Sequence, residues 1–236
     1  MVRKRFATER GLTNLSWLKS FHTFSFGEYY DAAQMGFRSL RVINDDLVAP
    51  GMGFGTHGHK NAEIISYVIS GSLEHKDSMG NGAVIEAGNL QYMSAGSGVQ
   101  HSEFNPSPSS SAHFIQIWLL PQQAGREPRY AERRVHELKQ EDALTLFCSP
   151  DGREQSIAIR QDASLFFGSL KSGKELSHQT NTSRGRWIHL ISGSISISTE
   201  EGSEILTAGD GLAIENVESI AIRAQEDSEF LLFDLA

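Results

Sequence analysis

The chain repeats itself, and the repeat limits the folds open to it. Ile69-Ser70-Gly71-Ser72-Leu73 returns as Ile191-Ser192-Gly193-Ser194-Ile195, at an offset of 122 residues. Glu86-Ala87-Gly88-Asn89 returns as Thr207-Ala208-Gly209-Asp210, at 121. Two landmarks at nearly one spacing mark a duplicated unit of roughly 110 residues. Both copies are rich in β-branched and aromatic residues, as in Glu63-Ile64-Ile65-Ser66-Tyr67-Val68-Ile69 and Trp187-Ile188-His189-Leu190-Ile191. Such residues suit a pleated, half-buried surface. Short strands broken by turns such as Gly80-Asn81-Gly82 and Gly209-Asp210-Gly211 predict an all-β sandwich or barrel in each copy. Helical periodicity is scarce; one short helix is expected around Glu141 to Leu146, before the Ser149-Pro150-Asp151-Gly152 turn. The polar, proline-bearing stretch from Pro121 to Val135 holds the boundary, giving domains 1–125 and 126–236. Asn105 to Ser111 carries two prolines and reads as a loop.

Chemistry concentrates in two short motifs of the first copy, His57-Gly58-His59 and His101-Ser102-Glu103. Each sets two metal-capable side chains at i and i+2, which share one face of a strand. Two such strands can close three imidazoles and a carboxylate around one ion. Imidazole nitrogen suits divalent iron, copper, nickel and zinc, and this shell leaves a coordination position open for catalysis. Free imidazoles titrate near pH 6.5, so acid below roughly pH 6 is expected to strip the ion. Glu63, four residues past His59, is the rival carboxylate. His75 reads as a rim or hairpin residue, or as a support behind a ligand, and His22 and His113 as packing or hydrogen-bonding residues. The same offset carries His57 and His59 to Gln179 and Asn181, and His101 and Glu103 to about Ile222 and Ala224. The second copy therefore reads as scaffold without ligands.

Composition closes off other readings. A formal net charge of -8 and the lack of a basic stripe argue against nucleic acid as a direct partner. No apolar run approaches a membrane span, and the basic N-terminus leads into polar residues, so neither membrane nor signal peptide is expected. One cysteine, Cys148, precludes an intramolecular disulfide and suits a reduced, cytoplasmic setting; it reads as a small buried side chain.

The motifs resemble known ones. Gly51-x5-His57-x-His59-x3-Glu63 followed by Gly71 resembles the first cupin motif, and Gly88 with His101-x3-Asn105 the second. The Glu63 to Gly71 spacing is one residue long, and no proline precedes Gly96. With those departures, Phe54-Gly55-Thr56-His57-Gly58-His59-Lys60 and Met93 to Glu103 are similar to the pirin family. The likeness continues through His22-Thr23-Phe24-Ser25-Phe26, Tyr29-Tyr30-Asp31 and Asp227 to Asp234, nearly the whole chain, and is close to bacterial pirin-like quercetin 2,3-dioxygenases.

The resemblance implies a bicupin, two cupin-type β-barrels or jelly rolls in one chain, with metal in the first. It implies His57, His59, His101 and Glu103 as ligands of one divalent ion, Fe(II) foremost, with Cu, Ni, Mn, Co or Zn as alternatives. The implied activity is a dioxygenase that opens the ring of flavonols such as quercetin with O2 and releases carbon monoxide. Glu103 is then the candidate base, and Phe54, Met93, Phe104 and Trp118 candidate apolar walls. Two other readings stay open: a metal- or redox-dependent regulatory binding protein, and another cupin enzyme such as an isomerase or decarboxylase. A bicupin suits a monomer or a weak homodimer.

Overall fold

The computed structural model describes residues 1–236, apart from the side chain of residue 136. The chain opens with β1 (Val2–Arg5) and then builds two compact units. The first unit comprises residues 11–136 with 159–161. Its strands are β2 (Gly11–Asn14), β3 (Leu18–His22), β4 (Leu40–Val48), β5 (Gly53–His59), β6 (Glu63–Ser70), β7 (Ser72–Asp77), β8 (Gly82–Glu86), β9 (Leu90–Ser94), β10 (Val99–Phe104), β11 (Ala112–Leu119) and β12 (Arg129–Arg133). They form a large sheet, β12-β9-β6-β11-β4-β3-β2, and a small one, β5-β10-β7-β8.

Alternation decides what each sheet sends inward. On β10, Val99, His101 and Glu103 are buried while Gln100, Ser102 and Phe104 lean outward. Facing them, strand pairing aligns Gln91, Ser66, Gln116, Asn44 and His22 in one row across the large sheet. All five are buried. A polar row inside a sheet sandwich costs folding free energy unless its members bond one another or a ligand.

The second unit comprises residues 1–10, 137–158 and 162–236. After α1 (Val135–Leu138) come β13 (Ala143–Ser149), β14 (Ile157–Ala158), β15 (Ala163–Leu170), β16 (Glu175–Gln179), β17 (Gly185–Ser192), β18 (Ser194–Thr199), β19 (Gly202–Thr207), β20 (Gly211–Glu215), β21 (Ser219–Ala224) and β22 (Ser228–Leu235). The sheets run β1-β20-β17-β22-β15-β13-β14 and β16-β21-β18-β19. The large and small sheets of the first unit recur here, so the chain is an all-β bicupin. The repeated glycines sit at matching hairpins with positive φ, Gly71 at +74° and Gly193 at +81°. At Gly193 a Cβ would also strike the Asp227 carbonyl at 2.4 Å, so the landmark persists for steric reasons.

Three expectations change. Residues 143–149 form a strand rather than continuing a helix from Glu141: Ala143, Leu144, Thr145, Leu146 and Cys148 pair with β15, and Cys148 is buried. Local helix preference yields there to sheet packing. The compact units do not follow a single cut at residue 125. β1 pairs with β20, Val2 opposite Ile214, and so completes a sheet edge in the unit distant along the chain, while β12 pairs with β9 and stays with the first unit. The repeat also aligns differently near its ligand positions. His178 lies opposite Ile220 as His57 lies opposite His101, and Ile197 opposite Ile222 as His75 opposite Glu103. The second unit thus has Ile220, Ile222 and Ile197 where the first has His101, Glu103 and His75. Those isoleucines belong to one apolar cluster with Leu206 and Phe230. No metal-capable cluster occurs in this unit among the described residues. No helix among them is long and apolar enough to cross a membrane.

Candidate metal centre

β5 and β10 pair antiparallel and set His57 directly opposite His101 and His59 opposite Val99. Between His101 and Glu103 the register slips, so β5 carries one extra residue at Gly55–Thr56. Such a bulge re-aims the side chains beside it. One nitrogen from each of His57, His59 and His101 lies within 4.8 Å of the others. The ring centroids stand 4.5–4.9 Å apart.

The hydrogen bonds fix which nitrogens face the centre. His57 Nδ1 lies 2.8 Å from the Gly55 carbonyl, which only accepts, so Nδ1 holds the proton and Nε2 the lone pair. His75 Nε2 lies 3.2 Å from Asp77 Oδ2. Burial alone would raise the Asp77 carboxyl, but bonds from Asn81, His75 and Met79 hold it below its ordinary range. It is ionised and accepts, so His75 is protonated at Nε2 and bare at Nδ1. His75 itself stays neutral because burial outweighs the pull of Asp77. His101 Nδ1, 3.4 Å from His75 Nδ1, must then donate, which leaves His101 Nε2 bare. The Nε2 atoms of His57 and His101 are 3.1 Å apart with both lone pairs directed at one region. Two bare nitrogens at that separation repel unless a cation lies between them. Nitrogens about 2.1 Å from one ion and at a right angle to each other stand about 3.0 Å apart. The residues therefore fit a divalent metal ion, and Asp77–His75–His101 forms the hydrogen-bonded support that such ligands need.

His59 is pushed down to about 4 by burial and by His57, and His101 to about 3 by burial and its three histidine neighbours. Those two imidazoles, His59 and His101, are thus neutral well below pH 6.

Glu103 departs from the simplest picture. Its carboxylate meets the 4.8 Å limit with His101 and His75, and does not join the trio of His57, His59 and His101. It is buried and accepts three bonds: Ser66 at 3.1 Å and Gln91 at 2.5 Å on Oε1, Gln116 at 2.8 Å on Oε2. Trp118 donates to the Gln116 Oε1 and Tyr130 to the Gln91 Oε1, which turns both amide NH2 groups toward Glu103. Burial raises Glu103 to about 7, against the pull of those three donors. Glu63 faces elsewhere, accepting from the Tyr92 hydroxyl, Ser94 Oγ and the Arg160 backbone amide.

His57, His59 and Glu103 border a cavity of about 520 Å³, a size that holds a small organic molecule. Trp17, Phe26, Phe54 and Trp118 make its aromatic wall. Of the four apolar candidates, Phe54 and Trp118 line it; Met93 packs in a core cluster instead, and Phe104 lies outside the lining. His22 also lines it, held by Asn44 and Thr13 at 2.8 Å each, while His113 bonds Asp45 at 2.6 Å. A larger groove of about 780 Å³ at Gln122, Gln123, Arg126, Glu127 and Arg160 shares no residue with this cavity and has no aromatic wall. Sequence reasoning underrated His75 and Asp77, although His75-Lys76-Asp77 repeats the i, i+2 spacing of the ligand motifs.

The pirin family model matches residues 4–119, and a model described as the quercetinase C-terminal cupin domain matches residues 146–235. Quercetin 2,3-dioxygenase of Escherichia coli K12 is 46% identical over 235 residues, covering 100% of this chain and 99% of that protein. The chain belongs to the pirin family. The crystal structure of the bacterial pirin YhhW from E. coli in complex with nickel(II) superposes with a TM-score of 0.94. It is 45% identical and covers 100% of this chain and 99% of that one. A quercetin 2,3-dioxygenase structure from Acinetobacter baumannii has a TM-score of 0.77 at 18% identity, covering 99% and 85% of the two chains, and shows the shared fold alone.

Proposed function

We propose that this pirin is a metal-dependent dioxygenase that opens the ring of flavonols such as quercetin with O2 and releases carbon monoxide. The observation that carries the proposal is the convergence of bare imidazole nitrogens beside an aromatic-walled cavity. His57, His59 and His101 hold the ion, Fe(II) in the favoured case, with Glu103 as the fourth donor. A bound divalent ion supplies Lewis acidity toward a ring hydroxyl and access to dioxygen chemistry.

The chain's own residues do the rest. Trp17, Phe54 and Trp118 take up a flat ring system and exclude water around it. Glu103 lines the same cavity and, ionised once an ion is bound, is the carboxylate placed to act as a general base there. It receives the proton of the acidic ring hydroxyl. Gln91, Ser66 and Gln116 stabilise the carboxylate before that transfer and keep it in place afterwards. The names borne by relatives support the substrate class.

The test is an oxygen electrode with a carbon monoxide trap. Wild-type protein loaded with Fe(II) or Ni(II) is expected to consume O2 and release CO with a flavonol. The His57→Ala, His101→Ala double variant is expected to lose metal and both signals. Oxygen uptake without CO, or equal rates in metal-free protein, would overturn the reading.

A further inference from the structure

The polar interior holds one carboxyl that the proposed chemistry does not use. β4 sends both Asn44 and Asp46 inward, and both line the cavity. The Asn44 acceptor is engaged: its Oδ1 accepts from His22 Nδ1, and His22 Nε2 accepts from the Thr13 hydroxyl. Asp46 is engaged only in part. It is 2% exposed, Ser20 bonds one of its oxygens, and Oδ1 has no hydrogen-bond partner. Strand pairing places it between Phe114 and Ser20. Burial, with Asp45 and Glu103 nearby, raises it to about 7, a mark of an environment unfavourable to its charge. A buried acceptor without a partner, on a residue that lines the cavity, is a cost to folding that a ligand reaching it can offset. The histidines stand on the small sheet and Asp46 on the large one, and Leu18 and Trp17 line the same cavity.

We infer that Asp46 Oδ1 is the anchor for a further hydroxyl of a polyhydroxylated aromatic ligand, separate from the hydroxyl that meets the metal centre. The inference rests on the flavonol reading for its ligand and makes Asp46 a determinant of which hydroxylated rings are taken. A hydroxyl bonded to a buried carboxyl discriminates against the ligand lacking it, because the acceptor is then left unpaired.

The experiment measures anaerobic binding to Ni(II)-loaded protein by quenching of tryptophan emission. Probes are quercetin, 3-hydroxyflavone, catechol and 1,2-dimethoxybenzene. Wild type is expected to favour quercetin over 3-hydroxyflavone about ten- to a hundredfold. In Asp46→Leu and Asp46→Ala the ratio is expected to fall to about twofold. An undiminished ratio in both variants overturns the anchor and leaves the flavonol reading standing. Binding of catechol over 1,2-dimethoxybenzene that depends on Asp46, with no flavonol binding, supports the anchor and overturns the flavonol reading. No binding of any probe overturns both. The melting temperature of metal-free Asp46→Leu is expected to equal or exceed that of wild type, because the open acceptor is gone. A clear drop would assign Asp46 a structural role and overturn the inference.

Discussion

Replacing His75 by Phe tests whether the Asp77–His75–His101 chain selects the metal-binding tautomer. Phenylalanine keeps the ring that lies 4.7 Å from Tyr130 at 17°. It removes the acceptor 3.4 Å from His101 Nδ1 and the donor 3.2 Å from Asp77. Without that acceptor, His101 is free to move its proton to Nε2, the nitrogen facing His57. Metal binding must then reverse that choice. Loss of such a supporting bond typically costs 10–100-fold in metal affinity, about 1.4–2.7 kcal/mol. His75→Phe is therefore expected to bind Ni(II) about 10–100-fold more weakly in competition with a chromophoric chelator, at unchanged stoichiometry. His57→Ala, which deletes a proposed ligand, is expected to weaken binding further. The folded fraction of each variant is checked by near-ultraviolet circular dichroism. Affinity within about threefold of wild type in folded His75→Phe would refute the tautomer reasoning.

Protons released on metal uptake identify the group that must ionise. At pH 6 His59 and His101 are already neutral, while Glu103, at about 7, is mostly protonated. Calorimetry in two buffers of different ionisation enthalpy is expected to find about one proton released at pH 6, and close to none in Glu103→Gln or at pH 8.5. Metal-free stability gives a second pH signature. Glu103 and Asp46 are raised, so their contribution is present below about pH 4 and lost as pH rises to about 7. His59 and His101 are depressed, so theirs is complete above about 6.5 and lost as pH falls toward 4 and 3. The two trends oppose each other, and removing one acid leaves the histidines less opposed. The melting temperature of metal-free Glu103→Gln should fall more steeply than wild type from pH 6.5 to 4.5; a shallower fall contradicts this. Gly193→Ala forces a Cβ onto Ser228 Oγ at 2.3 Å with φ at +81°. It should lower the melting temperature by several degrees while leaving one metal per chain, and an unshifted melt would show that the hairpin absorbs it.

The ligand strands were legible because their chemistry is local. His57-x-His59 and His101-x-Glu103 need only the two-residue period of a strand to share a face. The repeat was legible through glycines fixed by steric need at the hairpins. What escaped depends on contacts between strands far apart in sequence. Nothing near Glu103 announces that Ser66, Gln91 and Gln116 will meet it, since each comes from a different strand of the opposite sheet. The open acceptor of Asp46 is likewise invisible until burial and pairing are known. The strand at 143–149 was missed because its partner, β15, begins at residue 163.

The most direct measurement is X-ray absorption of the Ni(II)-loaded protein, in which imidazole rings leave a distinctive outer-shell pattern. Three imidazoles about 2.1 Å from the ion, with oxygen donors completing the shell, are expected. A spectrum requiring one imidazole or none, or one unchanged in the His57→Ala, His101→Ala double variant, would contradict the centre described above.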